Sequence, residues 1–137
     1  MIKYKFKIED KDFLKVCDLY KMSGWWKGPC SFEQISKLMS GSFCFVTAWK
    51  EEKLVGMGRA ISDSFNDAYI QDIFVDENYR KKGIAANIVK KLVNHCVSKN
   101  IRWIALIAAP GSVGVYERGG FKKMDGYTPM QFQKKAG

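Results

Sequence analysis

The sequence predicts an α/β protein in which a mixed, mostly antiparallel twisted sheet is flanked by helices. Between residues 42 and 75, three runs rich in aromatic and β-branched residues are separated by short polar turns. An amphipathic helix pattern follows over Ile84–Ser98, and a nearly continuous apolar run follows that helix over Ile101–Ala109. Short connections favour antiparallel neighbours, whereas a helical crossover favours a parallel pair.

The first third of the chain predicts one strand and two helices. Basic and apolar residues alternate over Met1–Lys7, which is typical of a strand, and apolar residues near helical spacing over Asp10–Met22 predict a helix. Ser23–Pro29 has the composition of a loop. Ser31 and Gln34 have the spacing of a capping box, so a short second helix should begin there and end near residue 41.

Three strands then follow in a meander. They are predicted at Ser42–Trp49, Leu54–Ile61 and Ala68–Val75. Gly56 and Gly58 lie inside the second strand, where glycine indicates a bulge or a close approach of another element.

The last third predicts a crossover and a terminal hairpin. The helix over Ile84–Ser98 has its apolar side chains on one face, as expected for packing on a sheet. The apolar run over Ile101–Ala109 predicts a strand covered on both faces. A short helix over Ser112–Gly119 and a hairpin pairing Phe121–Met124 with Thr128–Phe132 complete the prediction.

Length and composition indicate one globular domain over residues 1–137. The chain is 47% hydrophobic and 14% aromatic, which is typical of a folded protein. No apolar stretch approaches the roughly 20 residues of a membrane span, and the N-terminus lacks the apolar region of a secretion signal. We therefore expect a cytoplasmic protein that does not associate with membranes.

The cysteines and the single histidine argue against metal and triad chemistry. Cys17, Cys30, Cys44 and Cys96 are scattered without a CxxC pair, and His95 lies inside a helix pattern. We expect no metal and four reduced thiols, as is usual in a cytoplasm.

The formal net charge of +9 favours an anionic partner. Most of the basic residues are dispersed, and neither an RNA-recognition motif nor zinc-finger spacing accompanies them. The turn Arg80–Ala85 differs, because it lies between a predicted strand and a predicted helix and contains Gly83. The start of a helix offers unpaired N–H groups and a positive dipole end, so this turn predicts binding of a phosphorylated ligand.

Two segments carry a resemblance to a known family. The turn matches a signature of the form Arg/Gln-x-x-Gly-x-Gly/Ala, and a later segment matches Tyr-x-x-x-Gly-Phe; they read Arg80-Lys81-Lys82-Gly83-Ile84-Ala85 and Tyr116-Glu117-Arg118-Gly119-Gly120-Phe121. With the predicted element order, the chain resembles the GNAT superfamily of acyl-CoA-dependent N-acyltransferases over nearly its whole length. The resemblance implies the GNAT-type fold.

The resemblance implies acetyl-CoA as cosubstrate. Backbone N–H groups from about Lys82 to Ala86, together with Arg80, would hold the pyrophosphate, and Lys81 and Lys82 would lie near the phosphates. Phe74 and Val75 would pair with the pantetheine amides. The cofactor-binding set is therefore Phe74, Val75, Arg80, Lys81, Lys82, Gly83, Ile84, Ala85, Ala86 and Ser112. Ser112 enters as a substitute for an asparagine that the family often has before the short helix.

The resemblance also implies the catalytic residues. Tyr116 would be the general acid that protonates the leaving sulfur, because a phenol is protonated at neutral pH. The general base is open. Asp72 is the first candidate, with Asp63, Asp67, Glu33, Tyr69, a water relay or no base at all as alternatives. By strand alternation, Asp72 should share a face of the sheet with Ile70 and Phe74.

Trp25 and Trp26 lie in the loop that borders the acceptor site in this family, where they could form an aromatic wall or anchor the helices. The function implied is transfer of an acetyl group to a primary amine by direct attack in a ternary complex. A non-catalytic acyl-CoA sensor and, less favoured by the dispersed charge, a nucleic-acid-binding protein are the alternatives. The acceptor and the oligomeric state stay open, although dimers are common in the family.

Overall fold

The computed structural model describes residues 1–135, which form a mixed sheet with helices on both faces. Its elements in chain order are β1 (Ile2–Lys5), α1 (Phe13–Ser23), α2 (Phe32–Ser40), β2 (Cys44–Lys50), β3 (Lys53–Ser62), β4 (Asp67–Val75), α3 (Ile84–Ser98), β5 (Trp103–Leu106) and α4 (Val113–Arg118). Residues 136 and 137 of the predicted domain lie outside the described range.

Within residues 1–135, the sheet has five strands in the spatial order β1-β2-β3-β4-β5. The first three neighbouring pairs are antiparallel, and β4 pairs with β5 in parallel. This arrangement confirms the predicted fold class, because the one parallel pair is the one joined through helix α3.

Helix α3 packs on one face of the sheet directly over the glycines of β3. A Cβ atom added to Gly58 would lie 2.5 Å from Ile73 Cδ1 and 2.7 Å from Ile88 Cγ2. A side chain there would push the helix off the sheet, which explains why glycine occupies the middle of a strand. Ile88, Leu92 and Cys96 are buried on this face, as the apolar spacing predicted. No helix in the described range is both long and apolar enough to cross a bilayer.

Helices α1 and α2 cover the opposite face. Their buried side chains include Leu19 and Ile35, which pack with Trp49 and Met57 of the sheet. Helix α2 begins with the predicted capping box: the Gln34 N–H donates to Ser31 Oγ at 3.1 Å, and the Ser31 N–H donates to Gln34 Oε1 at 2.9 Å. The cap fixes where the second helix starts and so fixes the loop before it.

A disulfide joins Cys17 of α1 to Cys30 in the loop before α2. The prediction of four reduced thiols is wrong for these two residues in this structure. The two cysteines are 13 residues apart in the sequence, so their spacing did not predict a bond. In the fold, α1 and the following loop turn back on one another and bring the two Cα atoms to 6.0 Å. Cys44 and Cys96 are free and buried in the core.

The C-terminal region differs from the prediction in two ways. Strand β5 includes only Trp103–Leu106 of the predicted run. The run is not buried on both faces, since Trp103, and Ile107 just after the strand, are about half exposed. The predicted hairpin between Phe121–Met124 and Thr128–Phe132 is absent, because residues 119–135 form neither strand nor helix.

Candidate functional site

The strands β4 and β5 pair over only part of their length. Their register runs from Asp67 opposite Trp103 to Ile70 opposite Leu106 and then stops. On its other side, β4 continues to pair with β3 at Gln71, Phe74 and Val75, with Val75 opposite Gly56. The β5-facing edge of this half of β4 is therefore open, as the prediction for Phe74 and Val75 requires, and its backbone can pair with an extended ligand.

A bulge interrupts β4 at the point where this opening begins. The β3–β4 register passes from Met57 opposite Phe74 to Arg59 opposite Gln71, so two residues of β4 face one residue of β3. Asp72, one of the two, has a φ of 60°, a left-handed conformation that aspartate adopts more readily than most residues other than glycine.

The predicted orientation of Asp72 is partly wrong because of this bulge. Ile70 lies in the core under α3, and Ile73 packs against that core, whereas Phe74 packs against the core under α1 and α2. Asp72 is bonded to Tyr20 of α1, so it shares a face with Phe74 but not with Ile70. Simple alternation failed here because the extra residue reverses the faces of the strand beyond it.

The Asp72 carboxylate is held by two donors on one oxygen. Tyr20 Oη donates to Asp72 Oδ2 at 2.8 Å, and Arg59 Nε donates to the same oxygen at 2.8 Å. Arg59 also donates from Nη1 to Ser42 Oγ at 3.3 Å. Burial, followed by the Asp72 charge, raises the pKa of Tyr20, so its hydroxyl remains a donor. No partner of Oδ1 is found within residues 1–135, which leaves that oxygen to accept a further hydrogen bond.

Two tryptophans from the α1–α2 loop lie beside this network in different ways. The Trp26 side chain is partly buried, packs against the α1–α2 core and donates from Nε1 to the Pro29 carbonyl at 3.2 Å. Trp25 is 53% exposed, and its ring centroid is 6.0 Å from that of Phe74 in an edge-to-face arrangement. Trp26 therefore anchors the loop, and Trp25 presents its ring toward the open half of β4.

The basic turn presents a row of unpaired backbone donors. Gly83 precedes α3 with a φ of 78°, a conformation that favours glycine. At the start of α3, the first backbone N–H with a backbone acceptor is that of Asn87. It donates to the Gly83 carbonyl at 3.0 Å. Within residues 1–135, the N–H groups from Lys82 to Ala86 have no acceptor. Such groups at a helix start bind anions.

Arg80 is fixed to the end of the opened strand. Its Nε donates to the Val75 carbonyl at 2.9 Å, and its guanidinium lies 5.5 Å from the Phe74 ring centroid. Neither Nη atom has a hydrogen-bond or ion-pair partner in the described range. The residue is thus oriented by the strand while its two outer nitrogens stay available for a phosphate.

The side chains of the turn divide between the core and the surface. Ile84 is buried under the sheet, so only its backbone N–H can face a ligand. Lys81, Lys82 and Ala86 are exposed, and Ala85 is partly buried. Lys82 Nζ lies 5.6 Å from the Tyr79 ring centroid, which keeps its charge beside the turn.

Tyr116 lies on α4, next to the C-terminal end of β5. It is partly buried against Phe121, with ring centroids 6.0 Å apart, and it lines a cleft of about 900 Å³ together with residues 102–108. Burial raises the pKa of the Tyr116 phenol, so it stays protonated at neutral pH. No hydrogen bond links it to the Asp72 network in residues 1–135.

Ser112 directly precedes α4 and has a local partner. Its Oγ donates to the Ala109 carbonyl at 2.7 Å, and its N–H donates to the same oxygen at 3.0 Å. The hydroxyl proton is therefore engaged in the turn, while the Oγ lone pairs could still accept from a ligand amide.

Phe74 lies close to two other residues of the predicted site, Trp25 and Arg80. Its ring centroid is 6.0 Å from that of Trp25 and 5.5 Å from the Arg80 guanidinium. Sequence reasoning missed Tyr20 and Arg59, although an arginine inside the apolar β3 run is a signal that a buried carboxylate must lie opposite. In the described part of the chain, no group of three or more His, Cys, Asp or Glu side chains is placed to hold a metal ion.

Comparison with known proteins identifies the family. The model of the acetyltransferase (GNAT) domain matches residues 16–132. A curated relative, the uncharacterized N-acetyltransferase ycf52 of Pyropia yezoensis, is 30% identical over 90% of this chain and 79% of its own length. GCN5-related N-acetyltransferase 2, chloroplastic, of Arabidopsis thaliana is 38% identical over 53% of this chain, and the match spans 28% of that protein.

A solved structure shares the fold. The predicted acetyltransferase with acetyl-CoA from Clostridium acetobutylicum superimposes with a TM-score of 0.74, covers 96% of both chains and is 20% identical. The family model spans most of the chain and includes both the basic turn and Tyr116. The chain therefore belongs to the GNAT family of acetyltransferases.

Proposed function

We propose that the protein transfers the acetyl group of acetyl-CoA to a primary amine by direct attack in a ternary complex. The observation that carries this proposal is the opening of β4 from β5 beside a turn whose backbone donors, with the Nη atoms of Arg80, have no partner within residues 1–135. A ligand with an extended amide arm and a polyanionic end matches both halves of that site.

Acetyl-CoA fits the groups that surround the opening. The free Nη atoms of Arg80 and the N–H groups from Lys82 to Ala86 would hold the pyrophosphate, with Lys81 and Lys82 near the phosphates. The open edge at Phe74 and Val75 would pair with the pantetheine amides, and Ser112 would accept from the other side. The bound cosubstrate supplies the acetyl group as a reactive thioester. The Clostridium acetyltransferase, which shares the fold, was solved with acetyl-CoA, and this supports the assignment by analogy.

The cysteines support direct attack over an acetyl-enzyme route. Cys17 and Cys30 are joined to each other. Burial raises the pKa of Cys44 to about 12 and also raises the pKa of Cys96. A nucleophilic thiol needs a lowered pKa and access to substrate, and these residues have neither.

Asp72 is the general base that we propose. Its Oδ1 is unengaged and could accept the proton or a hydrogen bond of the incoming amine, while Tyr20 and Arg59 hold the carboxylate in place. Asp63 is a weaker candidate, because it accepts backbone hydrogen bonds from Phe65, Asn66 and Asp67, and these bonds lower its pKa.

Tyr116 is the general acid that we propose. Burial keeps its Oη protonated at neutral pH, so it can give a proton to the leaving sulfur. The position of α4 at the end of β5, beside the opening, supports this role.

Trp25 is the side chain that we propose for acceptor binding. Its exposed ring beside Phe74 offers an aromatic face to an amine or ammonium group. Trp26, with its indole N–H bonded to Pro29, is assigned to holding the loop. The acceptor class proposed is therefore a primary amine, as a small molecule or at the end of a peptide.

An acceptor screen tests the function. Purified protein is incubated with acetyl-CoA and a panel of amines (peptides with free N-termini, lysine peptides, polyamines, amino sugars and arylalkylamines), and release of the CoA thiol is followed. We expect acceptor-dependent release and an acetylated amine by mass spectrometry. Tight binding of acetyl-CoA with no release above hydrolysis for any amine would instead support a non-catalytic sensor.

The proposed location is the cytoplasm. The Arabidopsis relative carries the word chloroplastic in its name, so the competing location is a plastid. Fractionation of cells that express the full-length tagged protein distinguishes the two.

A further inference from the structure

The Cys17–Cys30 disulfide closes a segment that carries one side of the proposed site. Its two ends lie on α1 and in the loop before α2, with a sequence separation of 13. Between them are Tyr20, whose hydroxyl donates to Asp72, and Trp25, whose ring lies beside the open half of β4. The crosslink therefore spans the residues through which this region meets the proposed base and the proposed acceptor.

The second half of the α1–α2 loop has few other attachments. The last hydrogen bond from the loop back to α1 is that of the Trp26 N–H, which donates to the Tyr20 carbonyl at 3.2 Å. Within residues 1–135, the backbone N–H groups of Lys27, Gly28 and Cys30 have no acceptor. Beyond Trp26, the disulfide is thus the one bond that ties the loop to α1 in the described range.

Two glycines give this loop positions at which it can bend. Gly24 and Gly28 lie on either side of Trp25, with φ values of 85° and 87°, and a Cβ atom added at either would meet nothing within 4 Å. Small residues in open space absorb changes of backbone direction. A loop released from α1 at its far end could therefore turn the Trp25 ring away from Phe74.

The disulfide is open to attack from one side. Cys17 is buried on α1, whereas Cys30 is partly exposed and lies between the exposed Pro29 and Ser31. An attacking thiolate therefore reaches the Cys30 sulfur first. A disulfide in a cytoplasmic protein is usually catalytic or redox-sensing. Because the proposed direct attack uses no cysteine, the sensing role is the one that fits.

We propose that the Cys17–Cys30 pair is a redox-modification site, at which a dithiol reductant frees the α1–α2 loop and weakens binding of the acceptor amine. One thiolate of the reductant attacks Cys30 Sγ, and the S–S bond breaks with its electron pair leaving on Cys17 Sγ, which takes up a proton. The second thiol of the reductant then attacks the reductant's sulfur in the mixed disulfide. The reductant leaves as its own disulfide and Cys30 as a thiol, so two electrons and two protons pass to the protein.

The acetyl-CoA side of the site should not respond to this reduction. Arg80 is bonded to the Val75 carbonyl of β4, and the free N–H groups before α3 belong to the opposite face of the sheet. Neither has a hydrogen bond to the α1–α2 loop within residues 1–135. The effect on the acceptor rests on the proposed function, whereas release of the loop can be observed without acetyl transfer.

Trypsin digestion of the full chain tests release of the loop. Oxidised protein and protein treated with dithiothreitol are digested after the reagent is removed under nitrogen, and cleavage after the exposed Lys27 is followed by mass spectrometry. We expect reduction to speed this cleavage roughly tenfold while the far-UV circular dichroism stays native. Equal cleavage of the two forms would overturn the proposal. Loss of the native spectrum on reduction would also overturn it, because the pair would then only hold the fold together.

Two variants assign the response to this pair. Cys30→Ser should be cleaved at the rate of the reduced protein with or without dithiothreitol. Cys44→Ala is the matched control, since Cys44 is a free and buried thiol, and it should respond like the wild type. A Cys30→Ser variant that still responds to dithiothreitol, or a Cys44→Ala variant that does not, would count against the proposal.

Steady-state kinetics of the oxidised and reduced wild type measure the consequence for the acceptor. With the most reactive amine of the acceptor panel, we expect reduction to raise the acceptor KM roughly tenfold and to change the acetyl-CoA affinity less than about twofold. An acceptor KM that is equal in both forms would overturn control of the acceptor. Failure of every panel amine in both forms would contradict the proposed function, and the trypsin result would still decide whether reduction frees the loop.

Discussion

Asp72 shows how one residue connects strand geometry to chemistry. Its positive φ belongs to the bulge, and the bulge turns its carboxylate toward α1, where Tyr20 and Arg59 bind it. Because both donors use Oδ2, the proposed base keeps Oδ1 without a partner among residues 1–135, where it could accept a hydrogen bond from an incoming amine.

Replacing Asp72 with Asn should slow acetyl transfer without weakening acetyl-CoA binding. The amide keeps the shape of the side chain but accepts no proton, so we expect kcat to fall about a hundredfold. Steady-state kinetics and acetyl-CoA titration measure the two effects. Asp67→Asn is the control, because Asp67 lies in the paired half of β4. Loss of activity in the Asp67 variant instead would contradict the assignment.

Tyr116→Phe should lower kcat about a hundredfold and change its pH dependence. Burial raises the pKa of Tyr116, so the wild type should lose its acid only as the pH rises above the ordinary tyrosine value of about 10. The variant has no proton to lose and should lack this alkaline decline. The pH profile of kcat for both proteins checks this, and identical profiles would remove Tyr116 from the proton transfer.

The two tryptophans should respond differently to removal. Trp25→Ala should raise the acceptor KM roughly tenfold, because an exposed ring beside Phe74 is lost. Trp26→Ala should lower the unfolding midpoint instead, since it removes a packed anchor and the hydrogen bond to Pro29. Unchanged acceptor KM values in both variants would exclude the aromatic wall.

At the scale of elements, the features that depend on neighbouring residues could be predicted from the sequence. The capping box of Ser31 and Gln34, the apolar stripe of α3 and the glycines under it depend on neighbouring residues or on simple periodicity, and each is found in the structure. The basic turn was predicted for the same reason, because its residue types and its place between a strand and a helix are both visible in the sequence.

Features that depend on distant pairing were not predictable. The bulge at Asp72 follows from the register between β3 and β4, and alternation alone gave the wrong face. The predicted hairpin after α4 is not formed, because strand-like composition does not supply a partner and residues 128–133 have none among residues 1–135. The Cys17–Cys30 pair needed the fold of the α1–α2 loop.

The Cys17–Cys30 disulfide should stabilise the α1–α2 region. It closes a loop with a sequence separation of 13, and a crosslink over about 15 residues contributes about 3 kcal/mol. Cys30→Ser should therefore lower the urea midpoint of the oxidised protein. Reduced wild type should match the variant. An oxidised wild type that is no more stable than its reduced form would contradict this expectation.

At the scale of the whole molecule, the fold brings three separate segments to one side chain. The α1–α2 loop supplies Trp25, β4 supplies Phe74, and the turn before α3 supplies Arg80. Many basic residues are spread along the chain, whereas Arg80 is oriented at this junction by its hydrogen bond to the Val75 carbonyl. The proposed acetyl-CoA site thus depends more on the position of Arg80 than on the net charge of the chain.

Calorimetric titration of acetyl-CoA into wild type, Gly83→Glu and Gly28→Glu tests the central claim most directly. Gly83 and Gly28 both have positive φ and open space around the added side chain, so strain and charge are matched. At Gly83 the carboxylate would face the phosphates, and we expect the affinity to fall about a hundredfold or more, whereas Gly28→Glu should bind like wild type. Equal affinity in all three folded proteins would contradict the placement of acetyl-CoA at this turn.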